Sequence, residues 1–143
     1  MSQLPPKPLP IIGYLEQVDL PEWGVFGLVA KIDTGALTSA LHVENLARWD
    51  GGWLTFDVPN PLAPERGVQH VEARVQRKSE VRATSGITQE RLVVVTQLRL
   101  GAQNCDIELG LVDRSQMNYP MLLGREALAG RYLVDAALSY ALS

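Results

Sequence analysis

One carboxylate in this chain stands where a carboxylate needs a reason. Asp33 follows the apolar, β-prone run Val25-Phe26-Gly27-Leu28-Val29-Ala30 and opens the segment Asp33-Thr34-Gly35-Ala36. A buried strand is therefore expected to deliver it to a turn at Gly35. Taking a carboxylate out of water is costly unless it is hydrogen-bonded. Either Asp33 caps a turn, or it performs acid–base chemistry that depends on being held in a dry, fixed place. The triplet alone does not decide, because Asp and Gly are common turn residues. A second stretch, Tyr119-Pro120-Met121-Leu122-Leu123-Gly124-Arg125, lies far downstream and is followed by Glu126-Ala127-Leu128-Ala129-Gly130.

Asp-Thr-Gly is the signature triplet of aspartic peptidases, and Asp-Thr-Gly-Ala is the form seen in retropepsins. Leu122-Leu123-Gly124-Arg125 with Glu126 to Ala129 resembles the apolar-apolar-Gly segment and short helix that pass beside the retropepsin catalytic loop. The longer strings from Lys31 to His42 and from Tyr119 to Asp135 resemble a bacterial and archaeal family of retropepsin-like peptidases. That family is called RimB-type, for genes lying near a RimK-like glutamate ligase, and is also labelled an ATP-dependent zinc protease. The resemblance spans roughly residues 11 to 136.

The resemblance implies Asp33, Thr34 and Gly35 as catalytic residues, with Ala36, Ser39, His42, Leu123 and Gly124 along the substrate. Acid-peptidase chemistry needs two carboxylates that share a proton, because two so close cannot both ionise. The sequence holds one Asp-Thr-Gly and no repeat of it. A homodimer is therefore expected, each chain supplying one Asp33. Thr34 would lock the two loops together, and Gly35 would admit substrate backbone. Asp113 and Asp135 are expected to face solvent or cap turns. Arg125 resembles a retropepsin arginine that pairs with an acidic residue just after the triplet, but Leu37 and Thr38 stand there, so another carboxylate is expected to satisfy it.

The elements that would position these residues are short strands. Ile11 to Val18 reads as a first strand, Val25 to Ala30 as the strand before Asp33, and Thr38 to Leu46 as the strand after it. Trp49 to Val58 forms a hairpin around Asp50-Gly51, and the proline-rich stretch 59–67 is a loop. Val68 to Ala83 and Ile87 to Leu100 then read as one long hairpin about Thr84-Ser85-Gly86, in the place of a retropepsin flap. Val93 to Val95 marks its most buried part. Cys105 to Val112 is a strand, Asp113 to Asn118 a polar loop, Glu126 to Ala129 a short helix capped at Gly130, and Tyr132 to Val134 a strand closing the sheet. The fold class expected is all-β, a closed acid-protease barrel with a flap hairpin and one short C-terminal helix.

With 143 residues, the chain fits one domain, residues 11–143, preceded by an extended arm, residues 1–10, carrying four prolines. The arm lacks the apolar stretch of a signal peptide. No run approaches the ~20 apolar residues of a membrane span. A net charge of −3 gives no reason to expect nucleic acid. The lone Cys105 cannot form an intrachain disulfide, and a cytoplasmic location is expected. His42, His70 and Cys105 are the only imidazole or thiol ligands, and their spacing matches no zinc motif. No metal or other cofactor is therefore expected.

Charge gives a hint of substrate. From Val71 to Leu92, Arg74, Arg77, Lys78, Arg82 and Arg91 outnumber Glu72, Glu80 and Glu90 in a chain that is negative overall. On a single strand Arg74, Lys78 and Arg82 would share a face. Such a row, with Arg77, would hold an acidic peptide, and the link to a glutamate ligase implied by the resemblance points to poly-glutamate. An edge strand kept soluble by its charges explains the same pattern. The leading expectation is an aspartic endopeptidase. A zinc-dependent hydrolase and a non-catalytic dimeric binding module are the alternatives.

Overall fold

The computed structural model describes residues 8–82, 86–113 and 117–142. Most of the expected N-terminal arm, the hairpin tip at Thr84 and Ser85, and part of the polar loop after Asp113 lie outside the described residues. The strands are β1 (Ile11–Ile12), β2 (Leu15–Leu20), β3 (Val25–Ile32), β4 (Ser39–His42), β5 (Glu44–Trp49) and β6 (Trp53–Val58). They continue as β7 (Gln69–Arg74), β8 (Arg77–Arg82), β9 (Thr88–Leu100), β10 (Gln103–Val112), β11 (Met121–Leu123) and β12 (Leu133–Val134), with one α-helix, α1 (Arg125–Leu128), between the last two. No helix among the described residues is long and apolar enough to cross a membrane.

Six strands close a barrel in the order β10-β4-β11-β3-β2-β9, with β9 pairing back onto β10 and β8 added at its outer edge. Closure depends on the length of β9. Its first half pairs with β8 from Thr88 to Val93, and its second half pairs with β10 from Val93 to Leu100. Where β9 meets β2, at Asp19 and Arg99, the two Asp19 oxygens are both used. Oδ2 accepts from Arg99 Nε at 3.0 Å and Nη2 at 2.7 Å, and Oδ1 accepts the Gly27 amide at 2.9 Å. Alternation along the strands sends Val18, Leu28, Ala30, Leu41, Val94, Leu98, Leu109 and Met121 into one buried core.

Four expectations are corrected in detail. The strand expected from Thr38 to Leu46 divides at Val43, so β4 lies in the barrel while β5 joins β6 and β7 in a separate three-stranded sheet. The single strand expected from Val68 to Ala83 also divides, at Val75 and Gln76. The Val75 amide bonds Gly52 O on one side of the break and the Gln76 amide bonds Val93 O on the other, so β7 and β8 belong to different sheets. The C-terminal strand β12 does not close the barrel but pairs in parallel with β1. In the hairpin, Leu92 to Val94 is buried, while Val95 is 41% exposed.

A fully buried carboxylate fastens the C-terminal segment. Glu16 Oε2 accepts the amides of Gly13 at 2.9 Å and Ala141 at 2.7 Å, and Oε1 accepts that of Leu142 at 3.0 Å. Nearby, the buried Tyr132 hydroxyl donates to Leu100 O at 2.9 Å, and burial pushes its pKa up to about 12. Hydrogen bonds to a charged acceptor contribute about 1.5–3 kcal/mol each, less any compensation by water. Glu16→Ala is therefore expected to lower unfolding stability by ~2–4 kcal/mol. Limited proteolysis of that variant should cut first beyond Asp135, and resistance equal to that of the parent protein would contradict the assignment.

Candidate active site

β3 ends at Ile32, and the next carboxylate, Asp33, is half-buried at the start of a tight turn closed by the Ala36 amide on Asp33 O at 3.2 Å. Asp33 Oδ1 accepts the Gly35 amide at 2.9 Å, leaving Oδ2 with no hydrogen bond among those described. Gly35 does not hold a left-handed backbone; a Cβ there would stand 3.2 Å from Asp33 Oδ1, a tight contact with a side-chain oxygen. Thr34 and Gly35 are exposed.

The turn is held by the downstream block. Leu123 O accepts the Asp33 amide at 2.9 Å, Ala36 O accepts the Arg125 amide at 2.8 Å, and Leu37 O accepts the Glu126 amide at 3.0 Å. β11 runs parallel to β3 and antiparallel to β4, so it lies between the strand that enters the turn and the strand that leaves it. Gly124 is buried where these strands converge. A Cβ there would fall 2.4 Å from Thr38 O and 2.9 Å from Ala36 O, distances no side chain tolerates. The Gly124 amide donates to Ser39 Oγ at 3.0 Å.

The expected site residues thus fall into separate groups. Asp33, Thr34, Gly35, Ala36, Ser39, Leu123 and Gly124 meet in this one seam. His42 lies at the far end of β4, on the opposite face from Ser39 by strand alternation. It is buried, with Nε2 3.7 Å from Glu44 Oε1 and Nδ1 without a hydrogen-bond partner. Arg74 belongs to the separate sheet, its guanidinium 5.1 Å from the centroid of the Trp53 ring. Arg77 Nε donates to Glu108 Oε2 at 2.7 Å, and this bond together with the charge of Glu108 raises the Arg77 pKa. Lys78 and Arg82 are exposed and share one face of β8 with Glu80, while Arg77, Ser79 and Val81 take the other. The row of cations expected on one strand is therefore divided between two sheets.

Two features escaped the sequence reading. Arg125 is satisfied by a carbonyl rather than a carboxylate: its Nη1 donates to Thr34 O at 3.0 Å. A guanidinium can donate to any acceptor, so this contact does not depend on an acidic residue after the triplet. The Ser39 bond to Gly124 joins residues 85 positions apart, a separation no local pattern reveals. Among the described residues no three His, Cys, Asp or Glu side chains gather to hold a metal ion. His70 pairs with Asp57 on the separate sheet, and burial pushes the Cys105 thiol pKa up, away from nucleophilic use.

A family model described as RimB-like, retropepsin-like aspartic endopeptidase RimB, matches residues 11–142. Curated relatives named "Probable alpha-L-glutamate ligase" match as well. The protein from Parasynechococcus marenigrum is 43% identical over 136 residues, covering 92% of this chain and 29% of the relative. That from Desulfotalea psychrophila is 38% identical over 135 residues, with the same coverage of 92% and 29%. The chain thus spans under a third of the length of these relatives. A crystal structure of a Legionella pneumophila protein of unknown function superposes with a TM-score of 0.75 and 30% identity, covering 94% of this chain and 98% of the other.

The seam makes a stability prediction independent of turnover. Gly124→Ala should cost more than ~3 kcal/mol, because the clash is with backbone rather than with a side chain that can turn away. Ser39→Ala should cost ~1–3 kcal/mol by leaving the buried Gly124 amide unpaired. Denaturant unfolding of the two variants checks the order, and an unshifted midpoint for Gly124→Ala would refute the packing described.

Proposed function

We propose that this chain, which belongs to the RimB-like family of retropepsin-like aspartic endopeptidases, hydrolyses peptide bonds as a homodimer with one Asp33 from each subunit. The observation that carries this reading is a half-buried carboxylate on an exposed turn whose backbone is pinned from behind by β11 and α1. The turn can meet a second copy through Thr34 and Gly35 without being rebuilt.

In the dimer one Asp33 carboxylate is ionised and the other protonated. The ionised group takes a proton from a water, whose oxygen attacks the substrate carbonyl carbon. The protonated group gives its proton to the carbonyl oxygen, so the tetrahedral intermediate forms without a free oxyanion. Collapse breaks the C–N bond as the carboxyl that took the water's proton gives it to the amine nitrogen. The other carboxylate takes back a hydroxyl proton of the intermediate, leaving an acid, an amine and the original dyad. The β8–β9 hairpin covers the substrate, and the bonds that hold the turn keep each carboxylate in register.

The substrate in this reading is an acidic, glutamate-rich peptide. Support comes from the cations of the hairpin region and from relatives named as glutamate ligases over a matching segment. Attraction by exposed charges weakens over a Debye length of ~8 Å at physiological salt, so cleavage of such peptides should slow as salt rises.

Asp33→Asn should keep fold and dimer while lowering turnover of a glutamate-rich peptide by ~10²–10⁴-fold. Activity per chain should fall on dilution below the dimer constant. Exhaustive chelation should leave both activity and melting temperature unchanged. A fully active monomer would end the shared-dyad mechanism, zinc-restorable loss would establish the metal-dependent alternative, and inactivity of the parent protein on every peptide would leave the binding module.

A further inference from the structure

The underside of the β8–β9 hairpin carries a cation that no carboxylate among the described residues neutralises. Arg91 on β9 stands opposite Ser79 of β8 in register and is only half-exposed. Its stem crosses Gly110, where an added Cβ would come within 3.3 Å of Arg91 Cδ. No carboxylate forms an ion pair with it among the described residues, and it makes no described hydrogen bond; burial alone lowers its pKa. Desolvating a guanidinium without a partner is unfavourable. If the residue served only to pack, its apolar stem would suffice.

Two spaces border Arg91, a crevice of about 10 Å³, too small for a side chain, and a wider hollow. Arg91 lines a narrow crevice with Thr38, Ser39, Ser79 and Glu108. The floor of that crevice is the strand leaving the Asp33 turn, and its roof is the hairpin. On its other side Arg91 lines an open hollow of about 380 Å³ together with Leu46, Arg48 and Leu111. Exposed Glu90 and Asp113 line this hollow too, without pairing with either arginine. The neighbouring Arg77 is different, because Glu108 holds it and Glu126 lies close enough to act on it. Of the cations that face the crevice, Arg91 is the one left free among the described residues.

We propose that Arg91 is the specificity-determining residue of the cleft, receiving a substrate carboxylate side chain on its guanidinium, with Arg48 across the hollow. This rests on the peptidase reading, in which the crevice borders the bound peptide. The planar fork of a guanidinium holds both oxygens of a carboxylate, which a glutamine amide cannot match and an ammonium reproduces only as a point charge.

The test separates binding from turnover. In the Asp33→Asn protein, a fluorescein-labelled hexaglutamate peptide and its hexaglutamine counterpart are titrated by anisotropy at 0.15 M salt. Hexaglutamate should bind ~10- to 100-fold more tightly. Adding Arg91→Gln should bring the two affinities within about threefold, and Arg91→Glu should reverse the preference toward a hexalysine peptide, which loss of packing alone would not produce. Should Arg91→Gln unfold, judged by circular dichroism, Arg91→Lys carries the test and should give an intermediate preference. Equal binding of the two peptides to the Asp33→Asn protein, or a glutamate preference that survives these changes, would overturn the assignment of Arg91. Undiminished peptide cleavage by the Asp33→Asn protein would instead sink the Asp33 mechanism, so the two failures are distinguishable.

Discussion

The contact of Gly124 with the carbonyls of Thr38 and Ala36 is the constraint on which the rest of this structure depends. A Cβ at that position would overlap Thr38 O, so β11 approaches the Asp33 turn as closely as backbone can approach backbone. That closeness is what allows Leu123 O, Ala36 O and Leu37 O to find donors across the seam. Leu123 is buried, and an unpaired carbonyl there would cost free energy comparable to a lost hydrogen bond. The turn is thus over-determined: the strand before it, the strand after it and the helix beyond β11 all fix the same few residues. Under the dimer proposal Asp33 must meet its counterpart within a fraction of an ångström, which needs this kind of rigidity, and hydrogen bonds within a turn of four residues could not supply it alone.

The barrel distributes charge by the same logic. Asp19 receives both the Arg99 fork and the Gly27 amide at the point where β2 meets β9, satisfying a partly buried ion pair with a further donor. Glu16 is fully buried, and backbone amides donate to both of its oxygens. The Arg77–Glu108 pair is more exposed, and pairs of that kind contribute little to stability. Against this background the half-buried Arg91, unpaired among the described residues, is the exception. It lies on the underside of the hairpin, where under the proposal above a ligand, rather than a structural partner, would remove the exception.

Legibility in the sequence followed the range of the interactions. The Asp33 turn, the Leu122-Leu123-Gly124 segment, the Asp50-Gly51 hairpin and the closed all-β barrel were readable, because a strand ending at a carboxylate and a Gly in a tight place leave local marks. What could not be read was where a continuous β-prone stretch changes sheets. Thr38 to Leu46 and Val68 to Ala83 carry no glycine or proline at Val43 or Val75, yet the chain leaves one sheet for another there, with Val75 bonded to Gly52 and Gln76 to Val93. Those partners are chosen by tertiary pairing, and strand propensity is blind to them. The partner of Arg125 was missed for a related reason: charge complementarity directs attention to carboxylates, whereas a carbonyl serves as acceptor with no trace in side-chain identity.

The rigid seam also bears on how a half-site can wait for its other half. Under the dimer proposal the monomer presents Thr34, Gly35 and the 54%-exposed Leu37 on a turn already held by β11 and α1. Ordering a loop upon association would consume ~1–2 kcal/mol of backbone entropy per residue fixed, and four residues on each side of a two-fold axis would erase much of the gain from a small interface. Here that cost is met during folding of the single chain, where the core drives it. Association then needs only to exclude water and match two preformed surfaces. A fold that completes its catalytic turn before it has a complete site can leave activity to be governed by concentration, while stability stays a property of the chain.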